Sequence, residues 1–252
     1  MTIDTIGIAG TGEMAAAIAG RIAAVSGARM IVHGFSPAKP TGRKVRVEQA
    51  ANLFDLASEC HAVIAIYDTH AALREALTGT AERPGLLGAM APGTLVVDMS
   101  GGLPGECLRL AGQLSGGAIG LVEIGMCGGI GAMSTGAARL FAGGYGEHIE
   151  LVTPVLSCLG TLKRAGPQGS GRMLAALLET VRAAHYAAMA EAQGIAAASG
   201  IVPDEIAEPP LSDEERSELA RHAAIARAIA AAHDVETPLL DTVAGGLKPN
   251  AR

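Results

Sequence analysis

The stretch Thr5-Ile6-Gly7-Ile8-Ala9-Gly10-Thr11-Gly12-Glu13-Met14-Ala15 constrains this chain more than any other. Ile3, Ile6 and Ile8 read as a short buried strand, and Met14 onward reads as a helix. Between them stands Gly10-x-Gly12-x-x-Ala15, a G-x-G-x-x-A spacing with a separate physical reason for each small residue. Gly10 permits the tight turn out of the strand, and Gly12 lets a pyrophosphate approach the main chain. Ala15 lets the helix lie close on the strand. The helix then offers free N–H groups, Glu13 and Met14 among them, and its positive end to phosphates. A second strand at Arg29–His33 completes the start of an α/β unit, and a dinucleotide is the expected ligand.

Composition narrows the remaining classes. A chain of 252 residues has room for a dinucleotide-binding domain and a smaller second one. With no Trp, three Phe, three Tyr and a net charge of −6, it lacks the stacking platforms and basic surface that nucleic acids require. Cys60, Cys107, Cys127 and Cys158 are widely spaced with no C-x-x-C, so neither zinc nor a disulfide framework is expected. No uncharged apolar run is long enough to span a membrane, and the first strand leaves no room for a leader. The reading is of a soluble cytoplasmic protein.

The tip of the second strand decides which dinucleotide. An acid there would bind a ribose 2′-hydroxyl and repel a 2′-phosphate. None occurs between Arg29 and Val47, whereas Ser36, Lys39, Arg43 and Lys44 do. That favours NADP over NAD, the alternative being a solvated basic loop. A short strand is expected at Lys44–Val47 and a helix at Asn52–Ser58. Ala62–Ile66 is the apolar run of a strand buried on both faces. It delivers Tyr67, Asp68 and His70 to the sheet edge where ligands bind. His70 either touches the ligand or merely flanks a helix start. After a helix at about residues 71–77 and a segment at Leu86–Met90, the strand Thr94–Asp98 delivers Ser100 to the same edge. Gly120–Ile124, the segment 138–144, a helix at His148–Leu159 and a last strand at Thr161–Arg164 follow. From Gly166 the character changes to long Ala/Leu helical periodicity, over Arg172–Ser199, Ser212–Ala232 and roughly Leu239–Ala244. The domains are therefore read as 1–166 and 167–252. Alanine-rich helices with few large side chains are expected to pack against a second subunit, giving a homodimer.

Taken in order, these motifs resemble the β-hydroxyacid dehydrogenase family, whose relatives include 6-phosphogluconate dehydrogenase and imine reductases. Its G-x-I-G-x-G-x-M-G opening is similar to Gly7–Ala15, and its D-x-S-T motif to Asp98-Met99-Ser100-Gly101. Its D-A-P-V-S-G-G motif is similar to Glu123–Gly129, and its late K-D and P-L motifs to Arg221-His222 and Pro238-Leu239. The resemblance implies an N-terminal Rossmann-type domain followed by a smaller all-helical domain with a long interdomain helix at about 172–199. It also implies hydride transfer between NADP(H) and a small C=O or C=N substrate, held by Ser100, Cys127, Gly128 and Gly129.

The family's general acid/base is a lysine on the interdomain helix, with an asparagine one turn later. Without gaps, those positions are Ala175 and Glu179; a gap in the Gly166–Gly171 loop would bring Arg172 to the first. Alanine carries no proton, and guanidinium is a poor acid. Glu179, about 6 Å along the helix axis from Ala175, is the candidate proton donor. Its alternative is a plain Glu179–Arg182 pair on a solvated stripe. A relative that binds the nucleotide without catalysis, as a sensor or assembly partner, is the competing reading, and Ala175 is what favours it.

Overall fold

The computed structural model describes residues 3–36, 47–200 and 211–246. The chain divides into two compact units, Met1–Arg172 and Met173–Arg252.

The first unit is an α/β sandwich built on a sheet of eight strands. In chain order these are β1 (Thr5–Gly10), β2 (Arg29–His33), β3 (Val47–Gln49), β4 (Ala62–Ile66), β5 (Leu95–Asp98), β6 (Gly120–Cys127), β7 (Ala138–Gly144) and β8 (Gly160–Gly166). Their order across the sheet is β3-β2-β1-β4-β5-β6-β7-β8. The six strands β3 to β6 of that order are parallel, β7 runs antiparallel to β6, and β8 is parallel to β7. The order reverses at β1, between β2 and β4, which is the switch point where sheets of this kind take ligands.

The helices of this unit are α1 (Gly12–Val25), α2 (Leu53–Ser58), α3 (His70–Thr78), α4 (Pro104–Ser115), α5 (Gly129–Thr135) and α6 (Gly146–Leu156). Strand side chains alternate between two cores. Ile6, Ile8, Ile64, Ile66 and Val97 pack with Ile18 and Ile22 of α1 and with Val152 and Leu156 of α6. Ala9, Val63, Ala65 and Val96 face the other way, onto Leu56 of α2, Leu73 and Leu77 of α3, and Leu110 and Leu114 of α4. Burial on both faces explains why β1, β4 and β5 are continuous apolar runs.

The second unit contains α7 (Ser170–Ala198), whose first turn lies in the first unit, α8 (Asp213–Ala231) and α9 (Pro238–Gly246). A capping box opens α8, with Ser212 and Glu215 satisfying each other's main-chain N–H. Ala183 of α7, Leu219 of α8 and Val243 of α9 form its small core. The protein thus has an N-terminal Rossmann-type domain followed by a helical region with one helix of 29 residues.

Several local expectations change. β3 runs on to Gln49, and residues 44–46 of the expected strand lie outside the described residues. Leu86–Gly88 is a single 3₁₀ turn. β6 continues past Ile124 to Cys127 because β7 pairs with that extension. α6 spans Gly146–Leu156, with Pro154 tolerated in its last turn. Among the described residues no helix is long and apolar enough to cross a membrane, and no group of three or more His, Cys, Asp or Glu could hold a metal ion.

Candidate functional site

Four strand ends lie side by side at the carboxyl edge of the parallel sheet, those of β1, β4, β5 and β6. At the first, Gly10 is held by packing: a β-carbon there would stand 2.4 Å from the Ile66 carbonyl oxygen. Gly12 is different. Its φ is +81°, and a β-carbon on it would meet nothing within 4 Å. Thr11 is the N-cap of α1 but makes no side-chain capping bond. Among the described residues no side chain therefore accepts from the first amides of this 14-residue helix, Glu13 and Met14 included. Such a cradle fits a dinucleotide pyrophosphate. Glu13 itself is exposed.

The tip of β2 is described as far as Ser36, which is exposed; Lys39 and Arg43 lie outside the described residues. Over the described part, His33-Gly34-Phe35-Ser36, there is no acid.

At the ends of β4 and β5 two turns abut. The Ser100 hydroxyl donates to the Ala65 carbonyl at 3.2 Å and accepts from the Tyr67 N–H at 3.1 Å. Gly101 N–H donates to the Tyr67 carbonyl at 2.8 Å. Ser100 therefore ties the Tyr67-Asp68 turn to its own, and its one donor is used within the protein. Tyr67 is half-buried, which pushes its phenol up to about 12; Asp68 is exposed. Cys127 closes β6 and is buried, while Gly128 (φ +111°) and Gly129 start α5 with no side-chain cap. The structure thus brings Gly10, Gly12, Tyr67, Asp68 and Ser100 together on adjacent strand ends. The Cys127–Gly129 segment stands further out, on the part of β6 that overruns β5.

Sequence reasoning missed a buried charge cluster. Asp98, at the end of β5, is fully buried and pairs with Arg172, itself only 5 % exposed. Beside it Glu123 of β6, also fully buried, accepts from the N–H of Gly171 at 2.7 Å and of Arg172 at 3.0 Å. Its carboxylate caps the start of α7 from another strand, a favourable place for negative charge. Burial nonetheless holds its pKa above the ordinary carboxylate value, against those two hydrogen bonds and the nearby guanidinium. Glu106 reaches back to the Leu103 N–H at 2.6 Å and opens α4. The signal was present, since acids ending two apolar strands need a cation, but nothing local names Arg172.

Glu179 lies in the second unit. It is 2 % exposed and accepts from Arg182 at 3.0 Å, the pairing weighed as its plain alternative. Glu179 is buried and Arg182 half-buried, so the pair does not stand on a solvated stripe. Arg182 also reaches Glu215 of α8 at 3.8 Å, and its guanidinium stands 5.5 Å from the Tyr186 ring centre. Ala175 is buried, at 1 %.

Two imidazoles give stability a pH dependence. His70 opens α3, and burial lowers its pKa against the pull of Glu106 and Asp98. His222, deep in the helical unit, is lowered by burial against Glu179. A base depressed in the folded state is protonated more readily unfolded, so stability is lost as pH falls through about 6.5. Glu123, raised, works in the opposite direction at lower pH. The readout is therefore the difference between wild type and His70→Phe in urea midpoints at pH 7.5 and 5.5, where the variant should lose less on acidification. Equal losses would refute it.

Comparison with known proteins follows this geometry. The family model described as the NAD binding domain of 6-phosphogluconate dehydrogenase matches residues 5–169. A probable 3-hydroxyisobutyrate dehydrogenase-like protein 3, mitochondrial, of Arabidopsis thaliana is 28% identical over 168 residues, 66% of this chain and 52% of that protein. An NAD-dependent L-serine dehydrogenase of Pseudomonas aeruginosa is 26% identical over 125 residues, 49% of this chain and 42% of that protein. The chain thus spans about half the length of the curated relatives it matches. Among solved structures, the 3-hydroxyisobutyrate dehydrogenase from Salmonella typhimurium superposes with a TM-score of 0.79 at 20% identity, over 96% of this chain and 92% of that one. A reductive aminase from Aspergillus terreus in complex with NADPH and ethyl levulinate gives 0.66 at 18% identity, over 98% and 93%. At such identities the likeness is one of fold.

Proposed function

The chain belongs to the β-hydroxyacid dehydrogenase family, and from that premise we propose that it is an NADP(H)-dependent oxidoreductase acting on a small C=O or C=N substrate. The observation that carries the reading is the cradle at Gly10–Met14, an uncapped helix start opening at the sheet's switch point. In it Gly12 gives the pyrophosphate room, and the Glu13 and Met14 amides donate to it. Tyr67 and Asp68 flank the cofactor at the next strand end. Ser36, Lys39 and Arg43 receive the 2′-phosphate, and the acid-free β2 tip supports NADP over NAD. When bound, the nicotinamide supplies or accepts the hydride.

The protein's own part is to orient the substrate and move one proton. The main chain of Cys127-Gly128-Gly129 orients the substrate, Ser100, whose hydroxyl is committed to Ala65 and Tyr67, holds the neighbouring turn in place, and Glu179 carries the proton that Ala175 cannot. A C=N substrate suits the missing lysine, because an iminium already bears the charge that draws hydride. The test is titration with NADPH and NADH, followed by a screen of ketoacids and cyclic imines for cofactor oxidation. NADPH should bind more tightly than NADH. Glu179→Gln should lower turnover at least tenfold with nucleotide affinity unchanged, as loss of a proton donor does. Tight binding with no turnover of any candidate would favour a purely binding role.

We also propose a homodimer formed through the C-terminal helices. Support comes from α7, where Leu177, Val181 and Ile195 are exposed at 46%, 68% and 70%. Apolar side chains at helical spacing on an exposed face are costly to leave in water. Light scattering should give twice the chain mass at micromolar concentration, and Val181→Glu should halve it. A monomeric wild type would end this proposal.

A further inference from the structure

Among the described residues, three buried nitrogens near the carboxyl end of β5 have no hydrogen-bond partner: Arg172 Nε, Arg172 Nη1 and His70 Nδ1. Arg172 meets Asp98 through Nη2 alone, so the N–H groups on either side are left over. Both residues lie beside Gly102. A β-carbon on Gly102 would stand 2.9 Å from Arg172 Nη1 and 3.1 Å from His70 Cβ. The Arg172 guanidinium and the base of the His70 side chain thus flank one glycine, within the first unit. A desolvated donor without an acceptor is a standing cost that an incoming oxygen removes.

We propose that Arg172 and His70 form a ligand subsite at Gly102 that takes an uncharged acceptor oxygen, a carbonyl or a carboxamide. Charge selects that class. Against the single guanidinium stand Asp98, Glu123 and Glu106, whose Oε2 would lie 2.7 Å from the same β-carbon. A carboxylate or phosphate would add negative charge where three acids already gather. A cation has no lone pair to offer a guanidinium. A neutral oxygen accepts from Arg172, and from His70 in the tautomer protonated on Nδ1. Gly102 sends no side chain into the space beside these atoms, which leaves that side to an entering group. This subsite deepens the oxidoreductase reading and rests on it. The oxygen has two possible sources, the carboxamide of the nicotinamide or the carbonyl of an uncharged substrate.

His70→Phe and Arg172→Lys test it. The first removes Nδ1 from a half-exposed helix start; the second keeps a cation for Asp98 but loses the spare N–H groups. Each variant is titrated calorimetrically with NADPH and with 2′-phospho-ADP-ribose, which lacks the ring, and is assayed on an uncharged ketone. A carboxamide source predicts about tenfold or greater weakening of NADPH with the fragment unchanged. A substrate source predicts both titrations unchanged and kcat/KM for the ketone down by about tenfold or more. Three results overturn the subsite: wild-type values throughout, equal weakening of NADPH and fragment, or unchanged titrations with no ketone turned over by wild type. If wild type binds neither nucleotide, the dinucleotide reading and the subsite fall together; if it binds both, only the subsite is at stake. Should Arg172→Lys fail to fold, His70→Phe decides alone.

Discussion

Arg172→Met is expected to lower the unfolding free energy by about 3–5 kcal/mol, a large share of the ~5–15 kcal/mol that holds a domain folded. The cause is what it leaves behind. Asp98 is fully buried, and without Arg172 its carboxylate keeps the Ser100 N–H, at 2.9 Å on Oδ1, as its one hydrogen-bond donor. Burying an unpaired charge costs more than the pair contributed. Asp98→Asn keeps the bond to Ser100 and removes the charge, so Arg172→Met with Asp98→Asn should recover more than half of the loss. The chain has no Trp, so far-UV circular dichroism in urea is the suitable probe. A single variant within about 0.5 kcal/mol of wild type would show that the cluster is not a buried ion pair.

Gly12→Val should abolish nucleotide binding while leaving a folded protein. Among the described residues nothing lies within 4 Å of a β-carbon at 12, so the fold bears chiefly the penalty of a positive φ, about 1–2 kcal/mol. The valine would occupy the space assigned to the pyrophosphate. Losing two charge-assisted hydrogen bonds at about 1.5–3 kcal/mol each weakens NADPH more than a hundredfold. Gly10→Val is the contrast. There a β-carbon would collide with the Ile66 carbonyl, so the fold itself should suffer. Calorimetric titration beside a urea melt separates the two outcomes. A Gly12→Val protein that binds NADPH like wild type would remove the cradle from the account.

What the sequence revealed follows from how locally each feature is determined. β1, β4 and β5 are legible because strands covered on both faces are unbroken apolar runs. The Gly10–Ala15 loop is legible because its requirements fall within six residues. α4 is not: Pro104 and Glu106 mark its start, but Leu103 stands in the cap position and glycines at 105 and 112 interrupt the helical pattern. α5 spans seven residues between two left-handed glycines and has no periodicity to read. The reversal of β7 also escapes, since strand direction is set by partners and not by pattern. It matters for the site. β6 overruns the edge, β7 returns beside it, and β8 ends next to Gly143, the partner of Glu123. The chain therefore starts α7 level with Glu123 and Asp98. Residues 49 and 74 positions apart meet there, a separation beyond the reach of local spacing.

The division between the two units falls at Arg172, inside the continuous helix Ser170–Ala198. Anyone expressing the halves separately would have to choose which fragment keeps the opening turn. A C-terminal fragment starting at Met173 would lose the opening turn itself, with the two amides that Glu123 covers and the guanidinium that pairs with Asp98. An N-terminal fragment ending at Arg172 would keep the guanidinium on three helical residues too few to hold a turn alone. The two segments are better regarded as one inheritance unit, since any exchange that parts Arg172 from Asp98 and Glu123 breaks the buried cluster.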